Sequence, residues 1–266
     1  MGRRPGAQPL VCFTAWLVLP GVLLAGAAPQ ARTPAGTAPQ PRPAWRQYLD
    51  NPAFRWKCDR LAHFEFCYSG NLSPLAAAGM ERDAERTLAE ELRLAGASEF
   101  QPRVHLFVVE SYERLQQLMG YYAAGGSQPT EHTVCFVAGH PEALTHELNH
   151  EVMRYLWGGS EDWIAEGLAA YVSEPGEVDN RFRQLLNAGK AVPINWLVNP
   201  GWTASMGFPS TVIYPELGSF VKYLKTTYGL GCLRQLWRGG SAAIPRVLGK
   251  SLGRIEQDWR GSLAGR

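Results

Sequence analysis

Residues 146 to 150 read His-Glu-Leu-Asn-His, inside the stretch LTHELNHEVM. Two imidazoles four residues apart lie one above the other on a helix, where both can aim a ring nitrogen at one cation. Glu147 then stands one step round the helix, beside such a cation but not pressed onto it. From there it can take the proton of a water held by the metal. The flanks suit a helix. Pro141 fits a first-turn position, Leu144, Leu148 and either Val152 or Tyr155 form an apolar side, and Gly158-Gly159 would end it. The plain alternative is an ordinary helix with two paired histidines, so a metal assignment depends on a third ligand.

A catalytic zinc usually has three protein ligands and one open position. Downstream lies WIAEGLAAYV, residues 163 to 172. Glu166 is its one charged residue, set among apolar and small neighbours inside a predicted helix. Burying a lone carboxylate is costly unless it is paired or bound to a metal, which gives Glu166 a reason to be there. The chain between His150 and Glu166 is long enough for one turn and a return helix. Gly167 would let two helices approach closely. Glu161, Asp162 and Glu174 read as helix-end charges. A set of His146, His150 and Glu166 suits zinc.

Together, HELNH and WIAEGLAAYV resemble the gluzincin branch of zinc metallopeptidases, and within it the peptidase MA-like group, whose pattern is H-E-x-x-H followed by W-x-x-E-G-x-A-x-Y. The resemblance runs from about residue 103 to 260. It takes in a strand just before the motif helix (TVCFVAG), a later aromatic-led helix (YPELGSFVKYLKTTYG) and a terminal LGRIEQDW. It implies a zinc-dependent peptidase with His146, His150 and Glu166 as ligands and Glu147 as general base. It also implies an oxyanion-steadying tyrosine on a later helix. Tyr214 is the best positional match, although a core aromatic there is an equal alternative, and Tyr171 is a weaker option. One departure stands out. Many gluzincins carry an Asp shortly after the ligand Glu to orient a histidine, whereas Ala169 and Ala170 occupy that region here, so the orienting group must come from elsewhere.

The elements that must position these residues read as follows. A strand covers 62–69, an amphipathic helix 78–95, a strand 103–109 and a short helix capped by Ser111 the next segment. A Gly-containing loop spans 121–131. The strand 133–138, expected at a sheet edge beside the cleft, leads into the motif helix, and an extended peptide could pair with that edge. A helix capped by Ser160 ends at Pro175-Gly176. Another covers 214–227 and closes at Gly229, and two short helices follow near 231–238 and 251–264. Strands mixed with helices, then helices alone, predict an α+β fold. With the resemblance it is zincin-like, with a small N-terminal mixed sheet, an active-site helix and a helical C-terminal lobe.

The 266 residues suffice for one good-sized domain or two small ones, and a formal charge of +2 leaves no nucleic-acid footprint. Arg3 and Arg4, an apolar run from Leu10 to Leu24 and Ala25-Gly26-Ala27 predict a signal peptide over 1–27, cleaved after Ala27. The alternative is an uncleaved membrane anchor. Residues 28–44 are Pro/Ala-rich and read as a disordered linker. The folded domain is then 45–266, with its sheet in about 45–140 and its helical part in about 141–266. Export predicts disulfides, with Cys58–Cys67 and Cys135–Cys232 the favoured pairing and free buried thiols the alternative. The expected function is an exported, secreted or periplasmic, zinc peptidase acting on peptides or proteins. The alternative is a non-catalytic zinc-binding module that recognises peptides or cell-wall material.

Overall fold

The computed structural model describes residues 42–199 and 209–264. The signal peptide and nearly all of the linker read from the sequence lie outside these residues. Among them, no helix is long and apolar enough to cross a membrane. The fold is α+β. The first helix is α1 (Ala44–Leu49), followed by strands β1 (Trp56–Arg60) and β2 (Phe64–Ser69) and helix α2 (Pro74–Ala95). Next come β3 (Val104–Val109), α3 (Tyr112–Met119), β4 (Gly125–Gln128) and β5 (Thr133–Val137). From Pro141 onward the described chain is helical: α4 (Pro141–Trp157), α5 (Asp162–Ser173), α6 (Val178–Asn187), α7 (Ile194–Leu197), α8 (Ser210–Gly239), a 3-10 turn, α9 (Ile244–Leu248) and α10 (Leu252–Ala264).

Sequence explains most element ends. Ser73 and Ser111 accept from the amides of Ala76 and Arg114 and so cap α2 and α3. Pro141 opens α4, and Gly158, at φ 86°, closes it as expected. Gly229, at φ 83°, breaks α8 where the sequence predicts an end. Other ends differ. Glu161, not Ser160, is the first residue flanking α5, and its carboxylate is drawn to the indole of Trp163. Helix α6 has no forecast in the sequence. Its apolar residues Val178, Phe182, Leu185 and Leu186 nevertheless stand at i, i+4, i+7 and i+8, a helical spacing that packs against the core.

The sheet order is β1-β2-β3-β5-β4, with β2, β3 and β5 parallel and the outer strands β1 and β4 antiparallel to their neighbours. This corrects one expectation. The 133–138 strand is not an edge, because β5 lies between β3 and β4 and all five of its residues are buried. The edge is β4, drawn from the stretch that reads as a loop. Its Gly-Gly-Ser-Gln sequence carries no strand propensity, so its pairing with β5 is a tertiary effect.

Alternation along the strands splits the core in two. Phe64, Phe66, Leu106, Val108 and Phe136 face α2, α4 and the helical lobe. Cys67, Phe107, Cys135 and Val137 face α1 and α3. That division decides the cysteines. Cys58 and Cys67 are cross-strand partners in β1 and β2 and form a disulfide. The Cys135–Cys232 bond does not form. Cys135 is buried in the α1/α3-side core, Cys232 packs against the core on the other side, and both are free thiols.

Helix α4 runs through the middle, and its polar residues are buried with it. Asn149 donates to Glu91 of α2 at 2.7 Å, and Glu151 meets the His132 ring, just before β5, at 3.2 Å. Burial pushes the Glu91 carboxyl up to about 8 against the pull of Asn149, and lifts Glu151 to about 7. The folded chain therefore holds these protons more tightly than the unfolded chain. Their stabilising contribution is complete in acid and is lost as pH rises from the ordinary carboxylate range towards about 8. Thermal melts should show stability declining between pH about 5 and about 8. Glu91→Gln, uncharged at every pH, should flatten that decline and raise the melting temperature by several degrees at the alkaline end. Parallel wild-type and variant profiles would contradict this.

Candidate metal centre

Helix α4 presents His146 and His150 on one face, with ring centroids 4.9 Å apart. The partner face comes from α5, which brings Glu166 opposite both. His146 Nε2 lies 3.2 Å from Glu166 Oε2, and His150 Nε2 lies 3.6 Å from the same oxygen. One ligand atom from each residue falls within 4.8 Å of the other two, and the three residues are only 6%, 7% and 3% exposed. Two ligand atoms held tetrahedrally at zinc bond lengths are about 3.3 Å apart, so these separations suit a common ion. His150 Nε2 is also sealed from solvent without a hydrogen-bond partner, an arrangement that costs free energy unless a cation engages it. A buried His-His-Glu group able to hold a metal ion is thus formed by the three residues that the sequence singles out.

Close helix packing brings Glu166 there. A Cβ on Gly167 would lie 2.6 Å from Val221 Cγ2 and 2.9 Å from the Leu217 carbonyl oxygen. A Cβ on Gly218 would lie 3.2 Å from that of Ala170. Small residues on both sides let α5 press against α8. The close approach permitted by Gly167 is therefore to α8, while the opposite side of α5 meets α4.

The electrostatics agree with a cation site. Burial works against charge on His150, yet the Glu166 carboxylate outweighs it and lifts the imidazole to about 9. Burial also pushes Glu166 up, but His150 and His146 hold its carboxyl far below the usual carboxylate range. Asp162, one turn before Glu166 on α5, is close enough to feel both groups. Its own carboxyl is raised to about 6 by burial and by Glu166. It borders a narrow cavity of about 40 Å³ with His150, Arg154 and Trp237. Its sequence position suggests only a helix-end charge, and nothing but the fold turns it towards the ligands.

Comparison with protein-family models and with curated proteins finds no match for this chain. The site is therefore read from its own geometry.

Glu147, 2% exposed, is held by β4, where Ser127 Oγ donates to its Oε2 at 2.8 Å, and its charge is felt at His150. Tyr214 sets its ring edge-on to His146 at 5.5 Å, and the two border a cavity of about 520 Å³. Ala170, Leu185 and Arg181 also line that cavity, with the Arg181 guanidinium clamped by both oxygens of Glu174 at 2.6 and 2.7 Å. Tyr171, the weaker tyrosine option, is instead engaged by Lys225, whose ammonium lies over its ring and donates to its hydroxyl. Of the two tyrosines, Tyr214 is the one against the ligand cluster. Ser127 has no sequence signal, because it lies in the Gly-rich stretch that reads as a loop.

Without an ion, His150 carries a proton at neutral pH, and a divalent metal must displace it. Titrating the protein with zinc at pH 7 should release about one proton, and affinity should weaken about tenfold per unit as pH falls below about 9. Calorimetry in buffers of different ionisation enthalpy measures that release. Identical heats across buffers would count against displacement at His150.

Proposed function

We propose that this chain is an exported zinc-dependent peptidase of the gluzincin type, in which His146, His150 and Glu166 hold the metal. The observation that carries the reading is a division of labour between two buried carboxylates. Glu166 is enclosed by the imidazoles, whereas Glu147 is held by Ser127 through one oxygen. A binding module needs the first carboxylate and has no use for the second. A His₂Glu donor set favours zinc. When bound there, zinc supplies Lewis acidity that lowers the pKa of a coordinated water towards about 7 and polarises a carbonyl.

The chain's own residues supply the rest. Ser127 occupies Oε2 of Glu147, which leaves Oε1 to accept a proton from the attacking water and later pass it to the leaving amine. Tyr214 braces His146 and borders the larger cavity, where its hydroxyl would steady the developing oxyanion. The sheet ends at β4, so an extended substrate would pair there and not at residues 133–138, where the sequence places the edge. A cross-strand disulfide between β1 and β2 fits an oxidising compartment and hence export.

Cleavage of a mixed peptide library, with and without chelator, tests this reading. Glu147→Gln should keep the bound zinc and lose about 10²–10⁴-fold in kcat. Tyr214→Phe should lose about 10²-fold in kcat with KM little changed. Zinc binding without chelator-sensitive cleavage would favour the non-catalytic recognition module instead, and a Glu147→Gln protein as active as wild type would remove the base.

A further inference from the structure

Strand β4 faces in two directions at once. Its register with β5 is regular from Gly125↔Phe136 to Gln128↔Thr133. One residue earlier, the Val137 amide donates to the Ala124 carbonyl at 2.8 Å, which marks Ala124 and Val137 as a hydrogen-bonded pair. Antiparallel pairs alternate, so Gly126 and Gln128 spend their main-chain groups on β5, while the amides and carbonyls of Gly125 and Ser127, both buried residues, point to the side of β4 away from β5. Side chains alternate as well. Gln128 turns to the α1 side, where its amide donates to the Tyr48 hydroxyl at 2.9 Å. Gly125 and Ser127 turn to α4.

There both positions bear on Glu147. Ser127 Oγ holds Oε2 at 2.8 Å in a buried contact. A Cβ on Gly125 would lie 3.0 Å from Glu147 Cγ, 3.3 Å from Ala143 Cβ and 3.3 Å from the Cys135 carbonyl oxygen. The hydroxyl fixes the carboxylate from one position, and the missing side chain two residues earlier makes room for its stem.

We propose that Ser127 is the positioning residue of the general base. Its hydroxyl holds Oε2, and the space left at Gly125 on the same face of β4 takes the stem of Glu147, so one strand sets the orientation of the base. A carboxylate with one oxygen pinned has lost rotation about its last bond, so its second oxygen is held in one place. This inference rests on the peptidase reading above.

The test uses the zinc-loaded full chain, a peptide that the wild type cleaves, and three variants, with zinc affinity from chelator competition and thermal melting followed in parallel. Ser127→Ala should lower kcat by about 10- to 100-fold, the scale expected of a misplaced catalytic group, with KM and zinc affinity changed less than about threefold. Ser127→Thr, which keeps the hydroxyl, should recover most of that loss. Gly125→Ala, which pushes on the stem of Glu147, should lower kcat in the same way. A Ser127→Ala kcat within about threefold of wild type overturns the proposal and leaves the peptidase reading standing. So does a loss that Ser127→Thr does not recover, or one that tracks lost zinc or lost stability, since either marks a structural role. A wild type with no chelator-sensitive cleavage removes the peptidase reading and this inference with it.

Discussion

A carboxylate buried against two imidazoles is the constraint on which the rest of this molecule depends. Taking the Glu166 charge out of water costs several kcal/mol unless it is compensated in place. The compensation comes from His146 and His150, 20 and 16 residues earlier in the chain. Helices α4 and α5 must therefore meet at one defined rotation about their axes. The close packing of Gly167 and Gly218 seats α5 on α8 and leaves little freedom for any other rotation.

The same logic extends along α4. The run His146-Glu147-Leu148-Asn149-His150-Glu151 holds five polar side chains, all buried, and they are answered from three elements and the turn before β5. The histidines meet Glu166 of α5, Glu147 meets Ser127 of β4, Asn149 meets Glu91 of α2, and Glu151 meets His132 before β5. A helix tied on every side by buried hydrogen bonds is held in register and azimuth, because each broken tie strands a polar group away from water. Protonation states diverge accordingly. Glu166 is held ionised by its imidazoles, whereas burial keeps Glu91 neutral below about 8.

Edge and cavity then flank this helix. Strand β4 ends the sheet on one side, and the 520 Å³ cavity opens beside His146 and Tyr214 on α8. The free thiols of Cys135 and Cys232 show how firmly the sheet separates its two cores, since cysteines held on opposite faces cannot meet in bonding geometry.

Sequence alone determined what depends on local period and on the cost of burying charge. Helical spacing put His146 and His150 on one face. The apolar surroundings of Glu166 marked it as a compensated carboxylate, and Pro141, Gly158 and Gly229 set ends that the fold keeps. The α+β order followed from which segments alternate with period two and which repeat at helical spacing. Only the tertiary structure decided what depends on contacts between distant segments. It made an edge strand of Gly125–Gln128, whose residues have no strand preference until β5 pairs with them, and so moved the edge away from Thr133–Val137. It brought Ser127 to Glu147 and Asp162 towards the ligands, and it kept Cys135 from Cys232. Those outcomes are fixed by strand order and helix azimuth, which belong to the whole packed chain and leave no period in the sequence to read.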